Sequence, residues 1–328
     1  MADNDDREEA VRDAVDVSRS GAPAGGRVIR DRFSADEIFQ RIIVAADEEV
    51  TSGTRELFFS GLAGGFAITV TFLLYASLYG TTGGDPILSA LLYPLGFIFI
   101  ILGDYQLYTE NTLPPVALVL ERLSSLPSLL RIWAVVLVSN VFGGMLGALA
   151  LATTNVLSAD AAAAAAGFAQ KAIETSQITL FSKAVFAGLI VAGVVWVDYS
   201  LRDSISRLVL IYIAFLAIPF GNLYHVVVSA TEMFYLVFIG ELALSVGLWQ
   251  FVLPVLLGNS VGGVVLVTVV NYFHTTERRL ETAREEGSKR QLTLREWVWG
   301  GLSASGRSYV PATDEVPTSD PEPPEKEP

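Results

Sequence analysis

An apolar stretch over residues 208–238 is long enough to cross a bilayer, yet it is cut in two. Residues 208–220 form an unbroken apolar run. Gly221 and Asn222 interrupt it, Tyr224 and His225 follow, and Val226, Val227 and Val228 resume it. Crossing the hydrocarbon core takes about 20 apolar residues in a helix, so neither half suffices alone. The break therefore falls at membrane depth, where irregular backbone survives only inside protein or along a cavity. An ionisable residue at such a place is a functional candidate, and His225 is one of only two histidines in the chain.

The composition agrees with a polytopic membrane domain between polar tails. Of 328 residues, 52% are hydrophobic, too many in too long runs for an ordinary soluble chain. Mean hydropathy is +0.47. The net charge is −13, and the acidic residues sit mostly in the two tails, which argues against a nucleic-acid partner. Only Lys171, Lys183, Lys289 and Lys326 are lysines, and an acidic, lysine-poor surface suggests a salt-rich, halophile-like cytoplasm. Cysteine is absent, so there is no thiol chemistry.

Along the chain, residues 1–33 read as a disordered acidic tail. Ser34 and Glu37 form a capping box. Ile38, Ile42, Ile43 and Ala46 then recur at helical spacing, giving an amphipathic cytoplasmic helix over 34–56. It either lies on the protein's own face or gates a pore mouth. A transmembrane transporter domain is expected over 57–275, with spans at about 57–79, 86–120, 132–152, 178–199, 208–238 and 249–273. The second span is broken, like the fifth, by Gly103, polar residues and Pro114-Pro115. Residues 153–177 read as an alanine-rich loop. The charged tail 276–328 contains a helical stretch near 277–295 and ends disordered, with Trp297 and Trp299 resting on the membrane interface.

Two features occur twice. Asn-x-x-Gly-Gly stands at 140–144 and again at 259–263, and a broken span precedes each, with Thr109 31 residues before Asn140 and His225 34 before Asn259. The expected fold is thus an all-α integral membrane protein of six helices in two three-helix repeats. Three spans per repeat is odd, so the second repeat is inverted in the membrane, which points to a midplane site in a transport protein. Arg55, Arg122, Arg131, Arg202 and Arg207 flank spans on one side, placing both termini in the cytoplasm of a multi-pass cell-membrane protein.

These residues resemble the formate/nitrite transporter family, whose fold is aquaporin-like. Leu107-Tyr108-Thr109 stands at the motif of the first break and His225 at the histidine of the second. Trp196 and the two Asn-x-x-Gly elements also fit. The resemblance covers roughly 35–275 and is similar to a divergent branch. It implies a homopentamer with one pore per protomer and passage of formate, nitrite or hydrosulfide. Gln106 replaces an acidic residue of the formate channels, Tyr108 a phenylalanine and Ser229 an asparagine. Glu110 and Glu232 add carboxylates that are paired, protonated or outside the pore, since a bare carboxylate at the midplane repels anions.

A dry site disfavours a charged imidazole, and an entering anion restores it, so a weak acid can exchange a proton at His225. Thr109, Ser229 and Thr231 offer hydroxyls, and Tyr108 and Tyr224 could narrow the pore. Asn140 and Asn259 are expected to hold the broken segments, with Asp198 and Arg202 as a local pair. The expected function is a channel or proton-coupled transporter for a small anion or weak acid. The alternatives are a pore-dead scaffold or sensor and a neutral-solute pore. Metal-ligand clusters, nucleophile elbows and phosphate loops are missing, so no enzyme, metal or cofactor is expected.

Overall fold

The computed structural model describes residues 33–275 and 291–300. The expectations for residues 1–32, 276–290 and 301–328 lie outside these. Every element among the described residues is helical. Among the described residues, four helices are long and apolar enough to cross a membrane: α2 (Thr54–Thr81), α6 (Leu126–Thr153), α8 (Gln177–Asp198) and α11 (Leu244–His274). Shorter apolar segments stand between them. Pro86–Leu102 holds α3 (Pro86–Ala90) and α4 (Leu95–Leu102), and α5 is Pro114–Leu120. After α8 come α9 (Ser204–Phe220) and α10 (Val226–Phe238).

The first segment, α1 (Ala35–Thr51), buries Ile38, Phe39, Ile42, Ala46 and Val50, chiefly against α5. Arg41 Nη1 donates to Tyr199 O (2.9 Å) and Arg131 Nη2 to Val50 O (2.9 Å), so α1 is held at its middle and at its C-terminal end by charged hydrogen bonds. Residues 153–177, expected to be a loop, instead form α7 (Ala159–Glu174), capped by the Ser158 side chain on Ala161 N. Alanine has the highest helix propensity, but its small side chain gives little hydrophobic periodicity to read. Ala161, Ala165, Ala169 and Ala172 are buried at four- and three-residue spacing against α2 and α10.

The last described helix is α12 (Leu294–Trp299), which carries both expected interfacial tryptophans. Trp297 Nε1 donates to Val119 O (2.8 Å), whereas Trp299 is exposed. Leu292 N donates to Arg122 O (2.8 Å) and Arg122 Nη2 to Leu292 O (2.7 Å). The C-terminal segment is thereby strapped across the end of α5.

Helix α11 contains two π-helical stretches, Leu248–Val252 and Gly262–Val269. Such widened turns free carbonyls that need other donors, and they recur at functional sites. Thr268 Oγ1 reaches Gly263 O (3.1 Å) within the second stretch and Thr112 O (2.8 Å) across the core.

Candidate functional site

The two breaks are built alike. Helix α4 ends at Gly103, followed by Asp104 with φ +56°, and Tyr105 N closes back on Ile100 O (3.0 Å). Helix α9 ends at Gly221, followed by Asn222 with φ +49°, and Leu223 N closes back on Ile218 O (2.9 Å). Left-handed caps of this kind stop a helix while satisfying its last carbonyls, and Asp and Asn tolerate them better than most residues. The half-helices α5 and α10 stop the same way, at Arg122 (φ +57°) and Gly240 (φ +81°). Both pairs of caps share one spacing of 118 residues (104 to 222, 122 to 240).

One asparagine amide then holds each break. Asn140 Oδ1 accepts from Tyr108 N (2.8 Å), and its Nδ2 donates to Gln106 O (2.9 Å) and Gly61 O (2.7 Å). Asn259 Oδ1 accepts from Val226 N (2.8 Å), and its Nδ2 donates to Tyr224 O (2.9 Å) and Ala184 O (2.8 Å). Both asparagines are buried, so each satisfies two polar groups of its break and ties the break to a carbonyl of the long helix beside it. Gly65 and Gly188, four residues past Gly61 and Ala184, let the helices come that close. A Cβ would lie 2.0 Å from Asn140 O at Gly65 and 2.2 Å from Asn259 O at Gly188. Matching the asparagine bonds sets the register: the residue opposite His225 in the other break is Leu107, between Gln106 and Tyr108.

Thr109 meets His225 directly instead. Its Oγ1 lies 2.8 Å from His225 Nε2, and the two side chains are each 1% exposed. Phe97 packs edge-on against the imidazole (5.1 Å between centroids) and stacks on Phe215 (3.9 Å). Sequence reasoning singles out neither phenylalanine, since both read as ordinary core of an apolar helix. Leu107 is fully buried. Tyr108 shares a hydrogen bond with Ser260 Oγ (2.8 Å) and leans on Trp133, so its ring is fixed. Gln106 Oε1 accepts from Asn111 Nδ2 (2.8 Å), which spends its carbonyl inside the break. Thr231 gives its hydroxyl to Val227 O (2.9 Å), a local use rather than the open donor expected of it.

Cavities approach this contact from two ends. The larger, about 820 Å³, lies by α7 and reaches His225, Ser229, Tyr224, Asn222 and Glu232. The smaller, about 160 Å³, lies by α1 and the end of α8 and reaches Gln106, Glu110 and Asn111. Leu107, Tyr108, Thr109, Gly221, Asn140 and Asn259 line neither of the two. Glu110 thus lines the smaller cavity and Glu232 the larger. Asp198 is bonded by Arg207 at 3.3 Å, from the helix after it.

His225, Ser229 and Glu232 stand at i, i+4 and i+7 and share one face of the α10 segment. That spacing is present in the sequence as a signal of a common lining. His225 Nδ1 and Ser229 Oγ are buried and have no hydrogen-bond partner among the described residues. Lys183 Nζ sits 5.8 Å from the centre of the Tyr224 ring.

The family model described as formate/nitrite transporter matches residues 36–273. The inner membrane protein YfdC of Escherichia coli is 26% identical over 278 residues, covering 82% of this chain and 89% of that protein. Two solved structures share the fold. An FNT family ion channel superposes with a TM-score of 0.67 at 17% identity, covering 73% of this chain and 99% of the channel. A pentameric formate channel with formate bound superposes with a TM-score of 0.58 at 19% identity, covering 67% and 97%.

Proposed function

The chain belongs to the formate/nitrite transporter family, and from that premise we propose that it conducts small monovalent anions or weak acids through a pathway centred on His225. The observation that carries this reading is the Thr109–His225 contact, formed where two broken segments converge and approached by a cavity from either end. Formate, nitrite and hydrosulfide are the substrates of choice, and a formate-bound channel of the same fold supports the first of them.

In this reading α2 to α6 and α8 to α11 are inverted repeats giving six membrane crossings, an aquaporin-like design. The matched caps and asparagine bonds support it. Both termini face the cytoplasm, the arginine-rich side. The protein sits in the cell membrane as a homopentamer, like the solved formate channel, with small residues and exposed apolar faces such as Ile178, Phe186 and Ile213 turned to lipid or to neighbours. Its acidic, lysine-poor chain suits high salt.

The chemistry follows from the dry contact. Desolvation disfavours charge on the imidazole, and an anion beside it offsets that cost. Thr109 fixes the ring through Nε2, leaving Nδ1 for a solute, and Ser229 Oγ stands one turn further along the same cavity wall. Uptake of formate, nitrite and hydrosulfide by proteoliposomes tests the reading. Rates above those of protein-free vesicles for at least one are expected, and rates equal to them for all three would overturn it.

A further inference from the structure

We propose that the larger cavity, beside α7, is a binding site for a small organic ammonium ion: a primary amine, held at its charged head by Glu232 and Ser229 and along its body by aromatic rings. Its occupant also closes the approach to His225 from this end, the one part of the proposal that rests on the transport reading.

Size comes first. The cavity holds about 820 Å³, within the roughly 300–1,000 Å³ in which proteins enclose a whole organic molecule. Formate or nitrite would fill a small part of it. One wall is aromatic. Tyr75 stacks on Phe168 (4.7 Å between centroids), Tyr79 meets the same Phe168 edge-on (4.7 Å), and Tyr75 meets Tyr93 edge-on (5.7 Å). These rings, from α2, α7 and the link between α3 and α4, follow one another in contact, and all four line the cavity. The face of an aromatic ring is negative and attracts a cation. The protein makes one such contact at this cavity itself, with Lys183 Nζ 5.8 Å from the centre of Tyr224, a further lining ring.

The other wall is polar and belongs to α10. Ser229 and Glu232 are three residues apart, neighbours on one helix face. Glu232 forms no ion pair among the described residues, and Ser229 Oγ is buried with no hydrogen-bond partner among them. A carboxylate accepts hydrogen bonds only, and a hydroxyl accepts as readily as it donates. A primary ammonium brings three N–H donors and a positive charge to such a pair. A carboxylate or nitrite ion brings acceptors and a charge that Glu232 repels. Lys171 is the one lysine or arginine among the lining residues, set against Asp160 and Glu232, so the fixed charge of the cavity favours a cation as well.

The test uses three probes that share a benzyl group and differ in head group: benzylammonium, benzyltrimethylammonium and benzyl alcohol. Each is titrated calorimetrically at pH 7 into the purified protein in lipid nanodiscs. Benzylammonium should bind saturably. The trimethyl cation, which has no N–H, and the uncharged alcohol should each bind about tenfold more weakly or worse. Glu232→Gln should weaken benzylammonium by about tenfold or more and leave benzyl alcohol as in wild type. Tyr79→Leu, which keeps the carboxylate, should weaken benzylammonium too. No saturable binding of benzylammonium, equal affinity for the three probes, or unchanged affinity in a well-assembled Glu232→Gln would each overturn the proposal. If Glu232→Gln does not assemble, the head-group preference of wild type and the loss in Tyr79→Leu decide. In proteoliposomes, benzylammonium on both sides of the membrane should slow formate flux over the concentrations at which it binds. Binding without slowing would place the amine outside this cavity and overturn the proposal. No formate flux even without the amine would remove the transport reading and leave the titrations to judge the site.

Discussion

The hydroxyl of Thr109 lies 2.8 Å from Nε2 of His225, joining the two broken segments across 116 residues of sequence. The bond is buried and engages one ring nitrogen, and the other has no hydrogen-bond partner among the described residues. How the chain holds that pair in place decides what substitutions around it should do.

The asparagine amides are the first support. Replacing Asn140 or Asn259 by alanine removes three buried hydrogen bonds and leaves backbone groups of the break unsatisfied. At about 1–3 kcal/mol for each orphaned group, either change should cost several kcal/mol. Thermal unfolding of the purified protein in detergent should show both variants lowered by similar amounts. A loss in one and none in the other would contradict the equivalence of the two breaks.

Close helix approach is the second support. Gly188→Ala puts a methyl 2.2 Å from Asn259 O, which is backbone and cannot move aside cheaply. Gly193→Ala, on the same helix, meets nothing within 4 Å. The first should lower assembly yield and the unfolding midpoint, at a cost of roughly 1–3 kcal/mol or more. The second should be neutral or slightly stabilising, because alanine favours helix. Size-exclusion profiles after a heating series distinguish them.

Much of this architecture is legible in the sequence. The two breaks are visible there because glycine, proline and polar residues interrupt apolar runs, and the repeated Asn-x-x-Gly-Gly points to internal duplication. The register within the breaks is not. Thr109 stands 31 residues before Asn140 and His225 34 before Asn259, and only the asparagine hydrogen bonds show that Leu107 takes the place opposite His225 while a turn at Glu110–Thr112 follows Thr109. Helix α7 escapes such a reading because a run of alanines has no apolar rhythm. The Phe97–Phe215 stack on the imidazole and the Trp297–Val119 bond join residues far apart in the chain, and no local pattern announces such contacts.

The docking of α1 should depend on pH. Burial, with added repulsion from Asp104 and Glu48, pushes the Glu49 carboxyl from its ordinary 4.5 up to about 8. Between those values docked α1 retains a proton that detached α1 has released. Docking is therefore fully favoured below the ordinary value and weakens as pH rises towards 8. Hydrogen exchange in α1 should speed up over that window beyond the intrinsic increase, and Glu49→Gln should flatten the dependence. An identical profile in the variant would contradict this assignment.

The C-terminal strap should protect the end of α5. Arg122 exchanges two hydrogen bonds with Leu292, and Trp297 bonds Val119 and packs beside Val116 and Leu129. Trp297→Ala should lower amide protection over residues 116–123 by about tenfold or more, equivalent to roughly 1.4 kcal/mol of local opening. Protection in α8, a helix that none of these bonds reaches, should stay as in wild type.

The most direct test of a His225-centred pathway is stopped-flow formate flux in proteoliposomes containing wild type or His225→Phe, from pH 5 to 8 in high salt. Wild type should show fast flux that falls as pH rises, as the protonated acid becomes scarce, and the phenylalanine variant should lose most of it. Equal rates and equal pH profiles in the two proteins would contradict a pathway centred on His225.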